Sequence, residues 1–263
     1  MIENTLNKII EKKRIKINKL KKSVSLNDLI ENIKNQKNFL NFKEKIIKNN
    51  ASDKFSLIAE IKKASPSSGI IIENYDPVEI AILYNKNKAT CLSVLTEEEF
   101  FLGNFLHISK IKEKVNLPIL CKDFFIDPFQ VKLAKSYGAD AILIIISALS
   151  DNMADKIYNE ALKSNMSIIV EIHTSEEALK ALRFKDAIIG INNRNLKTLE
   201  TNINTTFDMY EILEKHEGPL VSESGIKSKE DILKISKKTK IKTFLIGESL
   251  LKNLDKNSIF SLL

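Results

Sequence analysis

From residue 50 onward the chain alternates between two kinds of pattern. Short runs of apolar, often β-branched residues are each followed by a stretch in which apolar positions recur at helical spacing. The runs are Ser56–Ile61, Thr90–Leu95, Pro118–Cys121, Ala141–Ile146, Ser167–Ile172, Ala187–Ile191, Pro219–Val221 and Thr243–Ile246. Their unbroken apolar character suits parallel strands covered on both faces. Helix signals fill the intervals. Asp76-Pro77 opens a helix through Tyr84, with proline at its first position. Asp127-Pro128 opens another over Val131–Tyr137, which Gly138 closes. Ser175 with Glu176 and Glu177, and Ser228 with Lys229 and Glu230, start the helices after the fifth and seventh strands.

Eight β/α units of about 25 residues fill residues 50–263. The expected fold is therefore α/β, a single (β/α)8 TIM barrel rather than an open doubly wound sheet. Residues 1–49 stand outside that count as an N-terminal helical extension, and the whole chain, 1–263, reads as one domain.

Composition narrows the class. The chain has 263 residues, 43% of them hydrophobic and 29% charged, which is a folded rather than a disordered balance. Two cysteines make no disulfide framework, and with three histidines they make no spaced zinc cluster. The longest apolar run, Ala141 to Leu149, falls far short of a membrane span. The N-terminus mixes charge with Ile and Leu and carries Glu3 and Glu11, unlike a signal or transit peptide, so a cytoplasmic location is expected.

The formal charge is +7, densest over Lys8, Lys12, Lys13, Arg14, Lys16, Lys19, Lys21 and Lys22. Ile9, Ile10, Ile15, Ile17 and Leu20 interleave with these lysines, which favours the solvated face of a covering helix over a polyanion-binding face. No nucleic-acid or membrane partner is expected, and the same charge suits a small anionic substrate.

In a barrel of this type the chemistry lies at the C-terminal ends of the strands. Polar residues collect there: Glu60 and Lys62, Lys122 and Asp123, Glu171 and His173, Asn192 and Arg194, Glu223 and Ser224, Gly247 and Glu248. Side chains two apart on a strand share a face, so Glu60 with Lys62, Glu171 with His173, and Asn192 with Arg194 can point into one cavity. Ions buried together cost several kcal/mol each unless paired, which makes a functional site the better explanation for such a collection. Gly225 and Gly247, after the last two strands, stand where backbone amides can approach a phosphate, with the carboxylate of Glu248 expected to turn away.

Several of these segments resemble, in order and spacing, the indole-3-glycerol phosphate synthase family. They are Ile58-Ala59-Glu60-Ile61-Lys62-Lys63-Ala64-Ser65-Pro66-Ser67, Ser93-Val94-Leu95-Thr96-Glu97, Pro118-Ile119-Leu120-Cys121-Lys122-Asp123-Phe124, Val170-Glu171-Ile172-His173, Gly190-Ile191-Asn192-Asn193-Arg194, Glu223-Ser224-Gly225-Ile226 and Ile246-Gly247-Glu248. The resemblance covers essentially the whole chain, including an extension, Ile9 to Leu29, that in this family packs over the barrel mouth. Asn195 departs from it, standing where the family usually has Asp.

The resemblance implies a carboxy-lyase of tryptophan biosynthesis. It would convert 1-(2-carboxyphenylamino)-1-deoxyribulose 5-phosphate to indole-3-glycerol phosphate, CO2 and water without a cofactor, as a monomer. Lys122 is then the candidate acid for ring closure, its pKa expected to be held in check by burial and nearby cations. The resemblance makes Glu171 the base for dehydration, with Lys62 and Glu60 assisting, and leaves open which lysine donates at each step. It assigns Ser65, Phe124, Asn192, Arg194, Leu196, Glu223 and Ser224 to the substrate and Ser224, Gly225, Gly247 and Glu248 to its phosphate; Leu95 is a further candidate for the ring wall. A phosphoribosylanthranilate isomerase would carry Cys after the first strand and Asp after the fifth, where this chain has Glu60/Lys62 and Glu171. A basic, non-catalytic binding protein on the same scaffold is the rival from another class.

Overall fold

The computed structural model describes residues 5–36, 38–196, 198–254 and 257–263. Eight parallel strands close into a barrel: β1 (Ser56–Ile61), β2 (Cys91–Leu95), β3 (Ile119–Lys122), β4 (Ala141–Ile145), β5 (Ser167–Ile172), β6 (Ile188–Asn192), β7 (Leu220–Glu223) and β8 (Thr243–Ile246). The seam is the pairing of β8 with β1, in register from Ser56 opposite Thr243 to Ala59 opposite Ile246.

Alternation along each strand divides the core. Ala59, Ile61, Cys121, Val170, Ile172 and Ile191 face outward into the layer beneath the helices. Ile58, Cys91, Leu120, Leu143, Ile169, Ile188, Val221 and Leu245 face inward. The inward set has the same parity as Glu60, Lys122, Glu171, Asn192 and Glu223, so the strand geometry that fills the barrel also aims these groups at its axis.

The strand candidates hold, with shifted ends. β3, β6 and β7 run on to Lys122, Asn192 and Glu223. Polarity marked those residues as beyond the strand, but they are ladder residues that face inward; Glu223, for example, pairs in register with Asn192. The helix signals act where expected. Asp76 accepts from the backbone of Val78 and Glu79 at the start of Pro77–Lys86, and Asp127 accepts from Phe129 at the start of Phe129–Ser136. Gly138 adopts φ +96°, the left-handed turn that ends a helix. Ser228 forms a capping box with Asp231. The cap before Ser175–Ala181 is Thr174, one residue earlier than expected.

The extension is three helices: α1 (Thr5–Ser23), α2 (Leu26–Asn35), begun by a Ser25 cap, and α3 (Phe42–Ala51). Ser25 marks the break between α1 and α2. Leu6, Ile9, Lys13 and Ile17 form the buried stripe of α1, and Thr5, Leu6 and Ile9 border the cavity at the barrel mouth. Leu29 is buried, whereas Leu26, the first residue of α2, is half exposed. Helix α3 crosses the expected boundary at residue 50 and closes the opposite end. Phe42 and Ile46 are fully buried among the inward residues, each burial stabilising by about 1.5–3 kcal/mol. Asn50 donates to Thr243 Oγ1 and Asn49 to Ser56 Oγ, so α3 also stitches the β1–β8 seam.

The basic run is largely spoken for. Lys12 pairs with Glu99, Lys16 with Glu98 and Lys21 with Asp127, while Lys13 is buried against Asp123. Lys13 was expected on a solvated face. It lies instead on the apolar stripe, where a buried carboxylate supplies its counter-charge. Among the described residues no helix is long and apolar enough to cross a membrane.

Candidate active site

A cavity of about 770 Å³ opens at the C-terminal ends of the strands. Every candidate lines it: Glu60, Lys62, Ser65, Leu95, Lys122, Phe124, Glu171, Asn192, Arg194, Leu196, Glu223, Ser224, Gly225, Gly247 and Glu248. The strands deliver Glu60, Lys122, Glu171, Asn192 and Glu223 through the pleat and the loops that follow supply the rest, so groups scattered over some 190 residues of chain line one cavity.

At the centre Lys122 Nζ donates to Glu171 Oε2 at 2.7 Å and to Glu223 Oε2 at 2.9 Å. Asn192 Nδ2 donates to Glu171 Oε1 at 3.1 Å, and His173 Nε2 lies 3.3 Å from the same oxygen. Lys62 donates to Glu60 at 2.6 Å. The same-face pairs Glu60 with Lys62 and Glu171 with His173 thus meet, whereas Asn192 reaches Arg194 only through its backbone, Asn192 Oδ1 accepting from the Arg194 N–H.

The electrostatics correct one expectation. Burial works against the Lys122 ammonium, but Glu171, Glu223 and Glu60 outweigh it and raise its pKa above the ordinary lysine value. Carboxylates, not cations, surround this lysine, and their charge overcomes the one opposing effect, burial. For Glu171 burial is opposed by Lys122 and His173, which together hold its carboxyl below the usual carboxylate range. Glu223 moves the other way: burial raises it, Lys122 pulls it down, and the neighbouring Glu171 pushes it up again. Two carboxylates sharing one ammonium cannot both ionise at equal cost, and Glu223 is the one that takes up a proton more readily. Its Oε1 is buried with no hydrogen-bond partner among the described residues.

Glycines make room for these acids. A Cβ at Gly190 would stand 2.0 Å from Glu223 Oε1, and one at Gly247 would stand 2.4 Å from Glu60 Oε1. Gly190 was read only as part of a segment; a glycine inside an apolar strand was the available signal. Gly247 therefore clears space for Glu60, besides whatever it leaves for an anion. Consecutive residues Ser224 and Gly225 adopt φ +64° and +72°, a left-handed turn at the mouth. The Glu248 carboxylate accepts from Ser68 Oγ at 3.1 Å and Lys252 Nζ at 2.6 Å, and stands 3.8 Å from Arg194 at the rim. Arg194 is held by the Leu199 carbonyl at 2.8 Å, while Asn195 accepts from the Thr198 N–H.

Comparison with known proteins agrees with this geometry. A family model described as indole-3-glycerol phosphate synthase matches residues 6–262. The chain belongs to the indole-3-glycerol phosphate synthase family. A relative of that name from Zymomonas mobilis subsp. pomaceae is 40% identical over 254 residues, covering 97% of this chain and 96% of its own. One from Prochlorococcus marinus (strain MIT 9515) is 41% identical over 260 residues, covering 96% and 86%. Among solved structures, a tryptophan synthase alpha chain from Legionella pneumophila subsp. pneumophila has a TM-score of 0.61 at 14% identity, covering 84% of this chain and 94% of its own, a likeness of fold alone.

The segments that carry the resemblance lie at the strand ends that ring the cavity. Phe101, which also lines it, was not among the candidates. Its signal was the Phe100-Phe101 pair just after the second strand. The Lys13–Asp123 and His173–Glu177 contacts were missed as well, the first for want of any local signal.

Proposed function

We infer that this chain closes the indole ring. It converts 1-(2-carboxyphenylamino)-1-deoxyribulose 5-phosphate to indole-3-glycerol phosphate, CO2 and water, a carboxy-lyase step of tryptophan biosynthesis. The observation that carries the reading is one buried ammonium, Lys122, held between Glu171 and Glu223 at the mouth of a barrel from this family.

Ring closure joins the carboxylate-bearing aromatic carbon to the ketone carbon, and the ketone oxygen takes a proton. Lys122 is the donor. Its ammonium is charged in the free enzyme, and its raised pKa means that transfer awaits the negative charge developing on that oxygen. The new ring is an iminium, the electron sink for the carbon–carboxylate bond, which then breaks and releases CO2. Dehydration follows: Glu171 accepts a ring proton, and the hydroxyl leaves as water with a proton from the Lys62–Glu60 pair. Glu171 becomes a better base once Lys122 has given up its charge, since that charge is what depresses it.

Asn192 and Arg194 hold the hydroxyls and the carboxylate, with Ser65 and Glu223 alongside. Phe124, Leu196, Leu95 and Phe101 wall the aromatic ring. The phosphate lies at Ser224, Gly225, Gly247 and Glu248, with Lys62 as countercharge. In this reading the enzyme works in the cytoplasm as a monomer, and its partner is the small phosphorylated substrate.

Lys122→Met and Glu171→Gln test the reading. Each is expected to lower kcat about 10²- to 10⁴-fold, the usual worth of a positioned proton-transfer group, with indole fluorescence as the assay. Near-normal kcat in a folded variant would remove that residue from the mechanism.

A further inference from the structure

We propose that Lys13 is a positioning residue: from helix α1 it fixes the two loops that carry the aromatic wall of the cavity, and so governs binding of the substrate's aromatic end. The proposal rests on the ring placement given above.

Lys13 is 4% exposed, and its ammonium lies 2.6 Å from Asp123 Oδ1, a carboxylate with no exposed surface. The same oxygen accepts from the Phe124 backbone N–H at 2.7 Å, and Oδ2 accepts from Thr96 Oγ1 at 2.7 Å. A second buried carboxylate, Glu97, accepts from the backbone of Glu99, Phe100 and Phe101. Lys13 also feels the charge of Glu97. One ammonium on the extension therefore balances two acids, and each acid holds the backbone of an aromatic residue. Those two rings, Phe101 and Phe124, touch with centroids 6.2 Å apart, and both line the cavity.

The rest of α1 repeats the pattern. Lys12 and Lys16, one turn apart, grip Glu99 and Glu98 on the first loop. Lys21, about 12 Å along the helix from Lys13, bonds Asp127 at the far end of the second. Stability alone does not call for a lysine here. Ile9 and Ile17 fill the same stripe with apolar carbon, and a buried ion pair is rarely better than a hydrophobic contact in its place. What the pair adds is a defined position for both acids.

The deciding variant combines Lys13→Met with Asp123→Asn in the full chain, removing both charges together, because Lys13→Met alone strands a buried carboxylate. It is expected to fold, to raise KM and the Kd of indole-3-glycerol phosphate about tenfold, and to keep kcat within about threefold. The Kd of glycerol 3-phosphate, which lacks the ring, is expected to stay unchanged. Wild-type KM and product Kd in a folded double variant would make Lys13 merely structural and overturn the proposal.

Thr96→Val, which frees one oxygen of Asp123 without exposing a charge, is expected to raise KM about threefold. If the double variant does not fold, Thr96→Val decides, and an unchanged KM there overturns the proposal. Phe124→Ala separates the two ideas. If it leaves product affinity intact, the ring placement fails; if it weakens product while the double variant does not, only the role of Lys13 falls.

Discussion

His173 is held between two acids, with Nε2 3.3 Å from Glu171 and Nδ1 3.3 Å from Glu177, whose Oε2 also accepts from the His173 backbone N–H at 2.8 Å. Burial opposes a charge on this ring, but Glu171 and Glu177 outweigh it and raise its pKa from 6.5 to about 9. A raised histidine adds stability that is complete below 6.5 and is lost as pH climbs through about 9. At 1.36 kcal/mol for each pH unit, that interval corresponds to about 3 kcal/mol. The perturbation is His173→Gln, and the assay is urea unfolding of both proteins at pH 6 and pH 9.5. Other titrating groups are common to both proteins, so the difference between them isolates His173. The advantage of the wild type is expected to shrink by about 3 kcal/mol between the two pH values. A difference that stays constant with pH would show that folding leaves the His173 pKa where it is in the unfolded chain, and the reading of an imidazolium stabilised by Glu171 and Glu177 would be refuted.

Gly190→Ala forces a methyl against Glu223 and is expected to cost about 1–3 kcal/mol and lower kcat as Glu223 leaves Lys122; an unchanged Tm and kcat would refute the close approach. Gly247→Val is expected to push Glu60 from its place and weaken product binding, which isothermal calorimetry would read; wild-type affinity would mean that the mouth has room to spare. Truncation before Phe42 keeps the α3 plug while removing α1 and α2. It should raise KM and lower Tm at both low and high salt, with the barrel signal retained in circular dichroism, and unchanged values of both would make the two helices dispensable.

The eight strands were legible because inward and outward apolar layers leave continuous hydrophobic runs. Their ends were not, since Lys122, Asn192 and Glu223 belong to the ladder yet look like loop residues. Residue pairs two apart along the chain at a strand end could be paired from sequence, because the extended backbone alone brings Glu60 to Lys62 and Glu171 to His173. Contacts between elements could not. Nothing local to Lys13 distinguishes it from Lys12 or Lys16, and its burial follows only from how α1 lies on the loops after β2 and β3. The direction of the Lys122 pKa was misread for the same reason: Glu223 stands 101 positions away along the chain, and only closure of the barrel sets it beside the ammonium.

That closure also bears on how the chain is made. β1 is among the first strands to emerge from the ribosome, and its partner at the seam is the last, about 180 residues later. At a synthesis rate of about 5–20 residues per second, one edge of β1 waits roughly 10 to 40 s for β8. Meanwhile its open backbone groups are a template for any passing strand, including that of a second nascent chain on the same message. Helix α3 is already complete by then, and Phe42 and Ile46 can cover the apolar side chains of β1, but no part of α3 takes the hydrogen bonds that β8 will fill. The seam is therefore the place where crowding among neighbouring ribosomes would divert this fold, well before any of its chemistry exists.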